Sequence, residues 1–320
     1  YAEGQFDPWN GGWLAEHKSF TEAKDAFLEL KKEEGRRPNT LSAYEYALEG
    51  LQEHVPPGIN VRDITPDHIR PYVYEAKMSN ATHRHRYGHL NVFFSWCVDQ
   101  SLADSNPLDG VSQPRKEKKT PAYLTPRNVE QIFSAIEDHR KDRLGKPGPT
   151  PNDQWVREII QVAVCTGLRR GELLNLKWED IDLDAELLHV RNRDTEGFRT
   201  KGGSERTLPI VGDALETLSD MNSRRDPAST DIVFLDDQEK PVKPDRVSRR
   251  FKFYAEKAEL ADRITFHSCR HTTGTWLAMK GVPLRVIQGI LGHSQASTTE
   301  VYTHLVDGMT ERAMTETFGS

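Results

Sequence analysis

A proline-punctuated basic run, VSQPRKEKKTPAY at residues 111–123, constrains the fold more than any other stretch of the chain. Proline fixes φ and removes a backbone donor, so neither a helix nor a central strand runs through such a segment. Preceded by Asn106-Pro107, it reads as a linker between two regions. The 320 residues are enough for two ordinary domains, each burying its own core.

Ahead of the linker the apolar residues recur at helical spacing. Residues 19–33 place Phe20, Ala23, Phe27 and Leu30 on one face. A second helix is capped at Asn39-Thr40, runs through Tyr44, Ala47 and Leu51, and stops at Pro56-Pro57. Thr65-Pro66-Asp67 starts a third, with Pro66 at the first helical position. The fourth, residues 81–101, carries Tyr87, Leu90, Phe93, Phe94, Trp96 and Cys97. Four helices with short connections predict an all-α bundle over residues 15–110.

Beyond the linker, Leu124-Thr125-Pro126 opens a helix, and the Pro- and Gly-rich stretch 141–153 reads as an exposed loop. The pattern over 154–180 is helical. Residues 187–192 and 206–211 read as strands flanking a loop at 194–205. Helices are expected again at 213–222, 243–260, 268–280, 284–291 and 297–305. The predicted fold class is mainly α with a small β-sheet: a helical bundle over 15–110, a linker over 111–123, and an α+β domain over 124–320.

Composition limits the partners without choosing one. The net charge of −6 is mildly against nucleic acid, but local field matters more than the sum. Four basic clusters could line a groove: Lys31, Lys32, Arg36 and Arg37; His83, Arg84, His85 and Arg86; Arg115, Lys116, Lys118 and Lys119; Arg246, Arg249, Arg250 and Lys252. Each one alone is more ordinarily a solvated helix face. Cys97, Cys165 and Cys269 are too scattered for a zinc site or a disulfide framework, which fits a reducing cytoplasm. No apolar run reaches the ~20 residues of a membrane span, and no secretory leader opens the chain.

Three stretches carry residues suited to phosphate chemistry. Thr166 to Leu173 (TGLRRGEL) puts Arg169 at a glycine turn where a new helix begins, so backbone N–H groups and a guanidinium could face one anion. His267 and Arg270 project from one helical turn of HSCRH. Leu291-Gly292-His293-Ser294 ends one helix and caps the next, and Tyr302 follows nine positions after His293. Separately, such an arginine is more often an ion-pair partner and such a tyrosine a core residue.

Their order and company change that weighting. The blocks TGLRRGELLNL, TKGGSERTLPI, FHSCRHTTGTWL and LGHSQASTTEVYTH resemble those of the tyrosine recombinases, the group of phage integrases and Xer-type resolvases. The resemblance spans most of residues 120–306, and the helical bundle matches the family's SAM-like core-binding domain more loosely. It implies a site-specific DNA recombinase that cuts and rejoins strands through a 3′-phosphotyrosyl intermediate. By the same resemblance Tyr302 is the nucleophile, and Arg169 and Arg270 clamp the phosphate. Lys201 is the general acid, His267 and His293 complete the site, and Glu172 orients the first arginine. His271 is left to packing or support. Cys269 stands where the family usually has leucine.

Phosphoryl transfer agrees with those roles. A phenol of pKa ~10 needs cations beside it to attack, and guanidinium groups hold phosphate oxygens in a bidentate way that lysine cannot. The covalent link keeps the phosphodiester energy, so no ATP, metal or other cofactor is expected. The expected partner is double-stranded DNA, bound by a homotetramer across two sites, with the chain a monomer in the absence of DNA. The tail 306–318 would pack on a neighbour. Two rivals stay open: a type IB topoisomerase, and a DNA-binding regulator without catalysis. Because the chain opens on Tyr1 rather than Met, it reads as a piece of a longer protein, and an arm-binding domain before Tyr1 stays open.

Overall fold

Four of the helices open on proline, where the missing N–H leaves no intrahelical bond unmade and the fixed φ already suits the first turn. They are α2 (Pro38–Gln52), α3 (Pro66–Val73), α5 (Pro126–Arg143) and α9 (Pro244–Lys257). A computed structural model describes residues 6–7, 12–13, 18–116, 121–144, 153–193, 205–293 and 302. The chain divides into two units, residues 1–119 and 120–320.

The first unit holds a two-residue pairing of β1 (Phe6–Asp7) with β2 (Gly12–Trp13), then α1 (Phe20–Glu33), α2, α3 and α4 (Asn80–Asp99). A capping box fixes the start of α1: Glu22 accepts from the Ser19 backbone N–H at 2.8 Å, and Ser19 Oγ accepts from Glu22 N–H. Aromatic edges lock the bundle. The Phe27 ring meets Tyr44 at 5.3 Å and Phe93 at 5.4 Å, joining α1, α2 and α4.

Two of the basic clusters send a member inward. Lys31 is buried, with its ammonium on Glu34. Arg86 is buried over the Tyr72 ring and donates to the Tyr72 carbonyl and to Glu75. In the second unit Arg246 pairs with Asp236 and Asp237, Arg250 with Asp153, and Lys252 with Asp262. These cations are spent on their own chain, so the clusters offer less free charge than their composition suggests. Lys118 and Lys119 lie outside the described residues.

The second unit is built around α6 (Gln154–Thr166), which buries Trp155, Val156, Ile159, Ile160, Val162, Ala163 and Val164. It packs against α5, α8 (Asp213–Arg225), α9 and α10 (His267–Met279). The link from the linker side is anchored on α10: Leu124 N–H donates to Thr272 Oγ1 at 2.8 Å, and Trp276 Nε1 donates to the Leu124 carbonyl at 3.1 Å.

The helical reading of 154–180 needs correcting. α6 stops at Gly167, which takes φ 65°, and a five-residue α7 (Arg170–Leu174) follows. A 3₁₀ turn then leads into β3 (Ile181–Asp182), a strand absent from the sequence reading. The sheet therefore has three antiparallel strands in the order β3, β4 (Leu187–Val190), β5 (Arg206–Pro209). Likewise α5 continues to Arg143, into the stretch read as loop. The loop expected at 194–205 lies almost wholly outside the described residues, as does the helix expected at 297–305 apart from Tyr302. No helix among the described residues is long and apolar enough to cross a membrane.

Candidate active site

Helix periodicity gives α10 two working faces. His267, His271 and Gly274 follow one stripe, while Arg270 and Thr273 turn toward α6. Arg270 Nη1 donates to the Gly167 carbonyl at 2.7 Å, and Thr273 Oγ1 donates to the Val164 carbonyl at 2.7 Å. Gly167 is required at this junction. Besides its positive φ, an added Cβ would lie 2.5 Å from Leu291 Cδ2 and 3.2 Å from Thr273.

Arg169 caps α7 and reaches two ways. Nη1 donates to Glu172 Oε1 at 2.8 Å, and Nη2 donates to the Gly292 carbonyl at 2.5 Å, one residue before His293. That carbonyl belongs to the turn closing α11 (Leu284–Leu291), where Gly292 takes φ 64°. The first arginine thus ties the α6–α7 junction to the turn bearing His293. The anion at the start of α7 is the protein's own: Glu172 Oε2 accepts from Arg169 N–H at 2.9 Å. The helix start that the sequence offers to an external anion is thus occupied by a carboxylate of the chain itself.

The same carboxylate receives a second guanidinium, from Arg206 in β5. Its Nη2 and Nη1 donate to Glu172 at 2.8 and 3.3 Å, and its Nε donates to the Ile290 carbonyl at 2.9 Å. Nothing in the sequence reading singled out Arg206. A lone arginine in a short strand carries no periodic signal, and only the fold brings β5 against α7 and α11.

Two guanidiniums therefore hold one buried carboxylate, whose charge a third, Arg270, also feels. Burial alone would raise the Glu172 pKa, but the hydrogen bonds and charge of Arg206, with those of Arg169, outweigh it and hold the group below its ordinary value. Arg270 is 3% exposed. Burial brings it down to about 9, with Arg169 adding repulsion and Glu172 relieving part of it. It stays a cation at neutral pH. Its Nη2 is buried and has no hydrogen-bond partner among the described residues, an unsatisfied donor in a group that feels the charges of Arg169 and Arg206.

The histidines sit around this centre in different settings. His267 is exposed at the start of α10, with its ring edge-on to His271 at 4.8 Å. His271 is brought down to about 4 by burial, His267 and Arg270. His293 is brought down to about 4 by burial, Arg270 and Arg169. Both are therefore neutral rings at physiological pH.

Tyr302 is 2% exposed and lies against α10. Its hydroxyl is 3.1 Å from His271 Nδ1. A Cβ at Gly274 would fall 2.5 Å from its Cζ and 2.7 Å from its hydroxyl, so the hydroxyl end of the ring rests against that glycine. Burial lifts the phenol to about 12, with Arg270 pulling the other way. Arg169, Glu172, His267, Arg270, His271, His293 and Tyr302 are thus brought to one place, joined by Arg206. Lys201 lies outside the described residues.

Comparison with known proteins shows the family of the chain. A model of the phage integrase family matches residues 122–309, and one of the phage integrase N-terminal SAM-like domain matches residues 25–101. The chain is 30% identical over 256 residues to tyrosine recombinase XerC of Chlamydia trachomatis, covering 78% of this chain and 76% of that one. It is 29% identical over 297 residues to tyrosine recombinase XerC of Roseiflexus castenholzii, covering 89% of each. In fold it is similar to a lambda integrase dimer bound to a core site, with TM-score 0.71, 21% identity, and 89% of this chain and 77% of that one covered. It is similar also to the Tn1549 transposon integrase in complex with transposon right end DNA, with TM-score 0.73, 20% identity, and 94% and 100% covered. The chain belongs to the phage integrase family of tyrosine recombinases.

Proposed function

We propose that this site-specific DNA recombinase cuts and rejoins double-stranded DNA with Tyr302 as its nucleophile. The observation that carries the reading is the buried Arg270 Nη2, unpartnered among the described residues, beside Arg169 and Arg206 in a site with one shared carboxylate. Such a donor set suits the non-bridging oxygens of a phosphodiester, whose negative charge grows as a fifth oxygen approaches phosphorus.

Arg169 and Arg270 hold those oxygens, and Glu172 keeps Arg169 in place. Tyr302 Oη attacks phosphorus, a 3′-phosphotyrosyl bond forms, and the 5′ oxygen leaves with a proton from Lys201. His267 and His293 line the phosphate and stabilise the charge. The reverse attack by a 5′ hydroxyl of another strand rejoins the DNA, and the retained phosphodiester energy drives it without ATP or metal.

We assign residues 15–110 to core DNA binding, 111–123 to a linker and 124–320 to catalysis. The active assembly is a homotetramer on two DNA sites in the cytoplasm, with the 306–318 tail packing on a neighbour and a monomer in the absence of DNA. The lambda integrase that this fold resembles is also known as a tetramer bound to a Holliday junction, which supports the assembly proposed here.

The test is a pool of nicked duplexes with randomised flanks around one scissile phosphate. Wild-type protein should form a covalent adduct that survives denaturant, and Tyr302→Phe should form none. An adduct with Tyr302→Phe would sink the reading. Relaxation of supercoiled plasmid without strand exchange would favour the topoisomerase rival.

A further inference from the structure

The Tyr302 hydroxyl sits on a seat built by one stripe of α10. His271 Nδ1 meets it at 3.1 Å, and Gly274, one turn on, clears the space the ring fills. Packing alone asks for neither feature. An apolar side chain at 271 would bury the ring equally well, and an alanine at 274 would suit the helix better. A titratable ring on the hydroxyl of the attacking residue is instead the arrangement of a nucleophile with its base.

We propose that His271 is the base for the nucleophile, its Nδ1 taking the phenolic proton of Tyr302 as Oη attacks phosphorus. The proposal rests on the assignment of Tyr302 as nucleophile. In cleavage the Oη–P bond forms and the bond from phosphorus to the 5′ oxygen breaks. The phenolic proton ends on His271, and the 5′ oxygen takes a different proton from the general acid. In rejoining, the 5′ hydroxyl attacks, the Oη–P bond breaks, and His271 returns its proton to Tyr302. No oxidant, reductant or further reactant enters.

The surroundings make this base responsive to substrate. His271 is faced by His267 and Arg270 from its own helix, and it interacts with His293 at the end of α11 and with Tyr302. At rest, burial, His267 and the Arg270 cation keep the ring neutral, with a lone pair for the phenol proton but little appetite for it. A phosphodiester against Arg270 brings a negative charge that offsets this cation. The ring then becomes more basic at the moment the phosphorus is in place. Tyr302 is thereby kept protonated until DNA is present.

The experiment separates base from acid. Two versions of the nicked pool are used, one with oxygen and one with sulfur as the bridging 5′ atom of the scissile phosphate. A thiolate leaves without a proton, so sulfur relieves a missing acid and does nothing for a missing base. His271→Ala and His271→Asn should slow adduct formation on the order of 100-fold or more on both pools. Lys201→Ala should be slow on oxygen and restored on sulfur. Rates are compared per folded molecule, with the folded fraction of each variant taken from its melting and duplex binding, because misfolding would also slow both pools alike. Wild-type rates in both His271 variants would overturn the proposal, and so would a His271 defect cured by sulfur. An adduct with Tyr302→Phe would instead overturn the assignment of the nucleophile itself.

Discussion

Arg206 grips both carboxylate oxygens of Glu172, at 2.8 and 3.3 Å. The pair is nearly dry, with side-chain exposures of 9% and 2%. Because Arg206 also holds the Ile290 carbonyl, and Arg169 holds both Glu172 and the Gly292 carbonyl, one carboxylate joins β5, α7 and α11. Arg169, the arginine proposed to hold the phosphate, is thus fixed by Arg206 through the carboxylate they share.

Arg206→Ala should therefore damage both stability and chemistry. Removing one partner of a buried pair typically costs roughly 3–5 kcal/mol, and the Arg169 contact to Glu172 puts this case toward the lower end. Denaturant unfolding measures that loss. At a temperature where the variant remains folded, adduct formation should still be slower, because Glu172 is free to swing and Arg169 with it. A wild-type cleavage rate in the folded variant would show that Arg206 only supports the fold.

Gly274→Ala should separate stability from activity in the other direction. Alanine favours a helix interior over glycine by about 1 kcal/mol, so α10 itself gains. The added methyl, however, occupies the place of the Tyr302 ring. The expected outcome is a melting temperature near that of the wild type together with loss of adduct formation. Retained cleavage would mean that the ring reacts from another position.

The contrast between these two positions shows what a sequence makes legible. The helices were readable because burial imposes a period on many residues at once, as with Phe20, Ala23 and Phe27 on α1. β3 was not, since two residues hold no period, and its pairing to Leu187 and Leu188 is a tertiary fact. Arg169, Arg270 and Tyr302 were legible through their blocks, whereas Arg206 stood inside such a block and drew no notice. Its partners are 34 and 84 positions away in the chain. The seat of Tyr302 was hidden for the same reason, Gly274 being one small residue in HTTGTW.

Acid should weaken the fold in two windows. His271 and His293 have folded pKa values of about 4, below the ordinary imidazole value of 6.5. Between those values the unfolded chain binds more protons, so stability falls as pH drops from 6.5 to 4 and levels off below. Glu172 is also depressed, from 4.5. Its contribution is fully present above 4.5 and is lost as pH falls through its folded value. Melting temperatures across pH 3–8 would trace both windows, and His271→Asn should make the upper one shallower, with His293 supplying the rest, while leaving the lower. An unchanged slope in that variant would remove His271 from the account.

Arg270→Lys tests whether geometry or charge governs the phosphate site. Arg270 uses Nη1 on the Gly167 carbonyl and keeps Nη2 buried beside it. A lysine carries the same charge but has a single nitrogen, which cannot hold that carbonyl and face a phosphate oxygen in the fixed directions of a guanidinium. Duplex binding, which sums many phosphate contacts, should change little in a gel-shift titration. Adduct formation should fall on the order of 100-fold or more, the usual effect of losing a donor to a developing charge. Equal losses in binding and cleavage would instead make Arg270 a general anchor for DNA, with no preference for the transition state.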